Sequence, residues 1–75
     1  MTDFEFVKAY MKELLRLEKI WNKSAESYPK NHIKHRIFNH LSGLVVTEQE
    51  TVMDDLESEH RDKISEFIQE WRDKH

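Results

Sequence analysis

The sequence predicts an all-α fold: a three-helix up-down-up bundle with two long helices and a short middle helix. Three observations point there. Apolar residues recur three and four positions apart along most of the 75-residue chain, the period of a helix face. One glycine and one proline leave few places to turn, which favours long helices over many short strands. Two capping boxes, Thr2-Asp3-Phe4-Glu5 and Thr47-Glu48-Gln49-Glu50, mark where helices begin.

The first helix is expected over about residues 3–24. Phe4, Val7, Met11, Leu14 and Leu15 share one face, widened by Tyr10, Leu17 and Trp21, and Ala25 to Tyr28 form the connection. A second helix is expected over about residues 29–42. Pro29 suits its first turn, where the missing amide donor costs nothing. Ile33, Ile37, Leu41 and Leu44 recur at helical spacing, and Gly43 is the expected C-terminal stop. The third helix is expected over about residues 48–74, its face marked by Val52, Met53, Leu56, Ile64, Phe67, Ile68 and Trp71. Short connections make successive helices antiparallel neighbours. A short middle helix would leave Trp21, Tyr10 and Trp71 half exposed, and a homodimer would cover them.

Seventy-five residues amount to one helical domain, residues 1–75, with a thin core. There is no cysteine, which excludes a disulfide and a thiolate metal site and fits a cytoplasmic protein. Apolar residues are 37% and charged residues 36%, too polar for a membrane span. The N-terminus has acids where a signal peptide carries lysine. No nucleophile–base set, glycine-rich phosphate loop or cofactor fingerprint is present, so neither a catalytic nor a cofactor site is expected. His32 and His35, and the lone Glu57-Ser58-Glu59-His60, fall short of the ligand sets of zinc and di-iron sites. His60 interrupts the apolar face of the third helix and reads as a core histidine. Glu18 interrupts the face of the first; it either lies at an edge near water or pairs with His60.

The net charge of −3 hides a segregation. Residues 30–46 carry Lys30, Lys34 and Arg36 with no acid, while residues 47–75 carry ten acids against four bases. In the first helix Lys8, Lys12, Arg16, Lys19 and Lys23 form one stripe. Asp55, Glu59, Asp62, Glu66, Glu70 and Asp73 form its acidic counterpart. Like charges at such spacing repel, so local helix stability does not account for either stripe. Two accounts compete: the stripes neutralise each other, within a monomer or across a dimer, fixing which helix docks where, or one faces a macromolecular partner.

The expected function is that of a small acidic regulator docking onto a larger protein with a basic patch, as an inhibitor, adaptor or antitoxin-like factor. Its binding surface would comprise the acidic stripe, able to imitate a nucleic-acid backbone, and the edges around Trp21 and Trp71. The alternatives are a structural subunit of an assembly, or a nucleic-acid-associated regulator. The latter would use Lys30, Lys34 and Arg36 with Lys8, Lys12 and Arg16. No membrane partner is expected of the basic stripe, because the apolar face beside it is needed for the core.

Overall fold

The computed structural model describes residues 2–75, which form three helices and, among the described residues, no strand. The helices are α1 (Asp3–Glu26), α2 (Ile33–Asp55) and α3 (Ser58–Lys74). α1 starts where its capping box predicts, the Thr2 hydroxyl accepting from the Glu5 amide at 3.1 Å. It runs two residues beyond the expected end, and the Ser27 hydroxyl donates to the Lys23 carbonyl at 3.2 Å.

α2 departs from expectation at both ends. Pro29 lies in the connection rather than in the helix, its carbonyl accepting from the His32 amide at 2.9 Å. His32 then supplies the cap, its Nδ1 accepting from the Lys34 amide at 3.0 Å. Gly43 does not stop the helix. No residue among those described has a positive φ, so the left-handed turn of a glycine C-cap is not made. Thr47 opens no new helix; its hydroxyl donates back to the Gly43 carbonyl at 2.9 Å.

Burial explains the continuity. Phe38, Leu41, Ser42, Val45, Gln49, Val52 and Met53 are buried or half-buried in one stripe that runs straight through Gly43. A glycine inside a helix costs only about 1 kcal/mol relative to alanine, less than such a face contributes when packed. The expected inward stripe is therefore displaced. Leu41 is half-buried, but Ile33, Ile37 and Leu44 stand 60%, 49% and 67% exposed.

The expected long third helix is cut at Leu56-Glu57, where both residues take extended backbone. Arg61 holds this corner. Its Nε donates to the Met53 carbonyl at 3.0 Å and its Nη2 to the Leu56 carbonyl at 2.9 Å. A guanidinium suits the negative end of the α2 dipole. With this break α2 has 23 residues and α3 has 17, so the last helix, not the middle one, is the shortest.

α1 and α2 meet in reversed order: Ala25 with His35, Trp21 with Phe38, Asn22 with Ser42, Glu18 with Gln49 and Tyr10 with Glu48. α1 and α3 meet in the same order: Phe4 with His60, Lys8 with Phe67, and Lys19 with His75. α1 is the shared element. Met11, Leu14 and Leu15 from α1 and Ile64 from α3 make the core, with Val45, Val52, Met53, Phe67 and Trp71 packed around it.

Candidate functional site

The acidic residues of α3 occupy its outward side because the opposite side is apolar. Ile64 is fully buried and Phe67, Ile68 and Trp71 are half-buried, leaving Glu59, Asp62, Glu66, Glu70 and Asp73 exposed. Asp55 is also exposed, but it is the last residue of α2 and lines a groove with Phe4, Val7 and His60, so the helix break separates it from the stripe. Within the stripe, Lys63 lies 3.5 Å from Glu59 and Gln69 donates weakly to Asp73 at 3.4 Å. Asp62, Glu66 and Glu70 take part in no ion pair among the described residues.

The basic stripe of α1 does not answer this acidic one. The Lys8 ammonium sits 5.1 Å from the centre of the Phe67 ring, a cation–π contact, and Lys19 donates to the His75 main-chain oxygen at 2.8 Å. Arg16 forks onto Glu13 one turn away on the same helix. That hydrogen bond holds the Glu13 carboxyl below the usual carboxylate range and raises Arg16 in turn. Among the described residues, the ion pair that joins two helices has the roles reversed: Arg72 of α3 lies 3.5 Å from Glu18 of α1.

Glu18 does not pair with His60; it lies at an edge of α1 with its side chain 21% exposed. Its Oε1 accepts from the buried Gln49 amide at 2.8 Å and faces Arg72, so one carboxylate oxygen links all three helices. His60 is instead half-buried against Phe4, with ring centres 5.5 Å apart. The links from Gln49 and Arg72 to Glu18 span three separate helices, and no local spacing signals them.

The two tryptophans lie on different seams. Trp21 stacks on Phe38 between α1 and α2 with ring centres 5.7 Å apart. Trp71 stacks on His75 at 4.2 Å. It lines a shallow groove of about 500 Å³ between α1 and α3, with Lys19, Lys23 and Arg72 at its rim. Both are half-buried, as is expected of aromatic residues at bundle edges, but they do not form one surface.

The residues of the nucleic-acid alternative are also divided. Lys30, Lys34 and Arg36 lie around the α2 start, beside the end of α1, where the His35 Nδ1–H donates to the Ala25 carbonyl at 2.7 Å. The Lys34 ammonium lies 5.3 Å from the Tyr28 ring centre. Lys8 is seventeen residues from Ala25 along α1, roughly 25 Å at 1.5 Å per residue, and it lies against α3. Two histidines at the start of α2 thus serve the backbone, His32 as a cap and His35 as a tie. No group of three or more histidine or acidic side chains is placed to hold a metal among the described residues.

Among the described residues, no helix is long and apolar enough to cross a membrane. No protein-family model matches the chain, and no curated protein or solved structure shows significant similarity to it.

Proposed function

We propose that this protein is a non-catalytic regulator that docks onto a larger protein through the outward face of α3. One observation carries the reading: Asp62, Glu66 and Glu70 are exposed and have no ion-pair partner among the described residues, although α1 carries five aligned bases. Their mutual repulsion costs a few tenths of a kcal/mol per pair in a helix. A partner with a basic patch supplies the compensation the chain itself does not, and such steering raises association rates. Glu59 and Asp73 extend the face.

The test replaces Glu59, Asp62 and Glu66 together by glutamine. Stability should move by only about 1 kcal/mol either way, since exposed charges contribute little to folding. Affinity for the partner recovered by pull-down should fall at least about tenfold, mainly through slower association, with a shallower salt dependence. A large stability loss with unchanged partner affinity would mean the stripe serves the fold and would overturn the proposal. Duplex DNA, titrated at the same salt, is the comparison for the nucleic-acid alternative; tight DNA binding by the unaltered protein would replace the proposal.

A further inference from the structure

α2 carries a second surface, separate from the acidic face of α3. Ile33, Ile37, His40, Leu44, Thr47 and Thr51 step by four, three, four, three and four, and all six are exposed. Alternating steps of four and three are the spacing of a coiled-coil seam. Thr47 and Thr51 do not spoil it as bare hydroxyls would. Each hydroxyl donates to a carbonyl one turn back, Thr47 to Gly43 at 2.9 Å and Thr51 to Thr47 at 3.0 Å. Leu44, the middle residue of the 23-residue helix, is the most exposed large apolar side chain among those described, at 67%.

The flanking charges identify what covers this seam. The first half of α2 carries Lys34 and Arg36 and no acid; the second half carries Glu48, Glu50, Asp54 and Asp55 and no base. This polarity opposes the helix dipole: no acid lies in the first turn and no base in the last. Local stability therefore disfavours it. Among the described residues Arg36, Glu50, Asp54 and Asp55 also take part in no ion pair. A helix that is basic at one end and acidic at the other is complementary to its own antiparallel copy.

We infer that α2 is the interface of an antiparallel homodimer, its two-fold axis passing beside Leu44. About that axis residue 33 lies opposite residue 55 and residue 37 opposite residue 51. Each Leu44 meets its copy, and Arg36 falls between Glu50 and Asp54 of the partner copy. Lys34 reaches Asp55 on the other flank. A parallel pair would set lysine against lysine and acid against acid. The α3 acids lie outside this seam, so each dimer presents two acidic faces.

The test is sedimentation equilibrium of the full chain and its variants, with circular dichroism confirming the helical fold of each. The unaltered protein should reach twice its monomer mass. Leu44→Asp should raise the dimer dissociation constant at least about a hundredfold, because it sets two carboxylates together at an apolar contact. Arg36→Glu and Asp54→Arg should each weaken the dimer about tenfold, and the double variant should regain part of the loss, Glu50 still opposing the new glutamate. That rescue within one chain occurs only if residue 36 faces residue 54 of the copy. A protein that stays monomeric at millimolar concentration overturns the inference. So does a dimer indifferent to Leu44→Asp, or one that the double charge exchange fails to restore.

Discussion

Single residues in this protein take roles set by what lies across a helix interface. Tyr10 is 40% exposed, and its hydroxyl donates to Glu48 Oε1 at 3.1 Å. Desolvation first, then this hydrogen bond and the nearby carboxylate charge, raise its pKa above 10.0. All three favour the neutral phenol. The sign follows: the contribution of Tyr10 to stability is fully present below pH 10 and is lost as pH rises through the raised value. An ultraviolet titration of the Tyr28→Phe protein should show Tyr10 ionising above the ordinary tyrosine range. Glu48→Gln should bring it part of the way back, leaving the desolvation share. Ionisation at or below pH 10 would mean that this contact does not persist in solution. Arg61 makes the same point without titration: its two bonds to the Met53 and Leu56 carbonyls close a corner between helices.

Among the elements, α2 decides the architecture. Glycine followed by an apolar residue and a Thr-x-x-Glu box is a strong local signal for one helix ending and another starting. α2 overrides it because Phe38, Ser42, Val45, Gln49 and Val52 all face α1. The two accounts differ at Gly43. A Cβ built there meets nothing within 4 Å, and the backbone is not left-handed. Gly43→Ala should therefore stabilise the protein by roughly 0.5–1 kcal/mol in denaturant melts at low concentration. A glycine stop with positive φ would give the opposite sign, since alanine is strained there. Within one chain, no ion pair among the described residues joins the two charge stripes. Arg16 bonds Glu13 on its own helix, Lys8 lies over the Phe67 ring, and Lys19 donates to the main-chain oxygen of His75.

The three helices together measure 43 × 24 × 20 Å, an elongated body whose core is correspondingly thin. Met11 and Ile64 are fully buried and Leu14 is 6% exposed, whereas Leu56 at the α2 end is half-buried. Leu14→Ala should cost roughly 2–5 kcal/mol, a large share of what a domain this size possesses. Leu56→Ala should cost distinctly less, about 1–2 kcal/mol, because its site is open enough to admit water in place of the lost atoms. Chemical denaturation of both variants checks the ranking, and equal losses would place Leu56 in the core. Glu18 joins all three helices, since Gln49 and Arg72 converge on one of its oxygens.

Periodicity and capping were enough to define the helical class, the start of α1, its buried face through Met11, Leu14 and Leu15, and the outward acids of α3. Each of these depends on residues within a turn or two of one another, so the chain carries the information locally. Packing between helices was needed to establish that α2 passes through Gly43, that the chain breaks at Leu56-Glu57, and that Ile33, Ile37 and Leu44 turn outward. It was needed also to bring Glu18 to Gln49 and Arg72 instead of His60. For α2 the reason is one of magnitude: the local signals at Gly43 and Thr47 are worth about 1 kcal/mol each, and the longer face buried against α1 outweighs them.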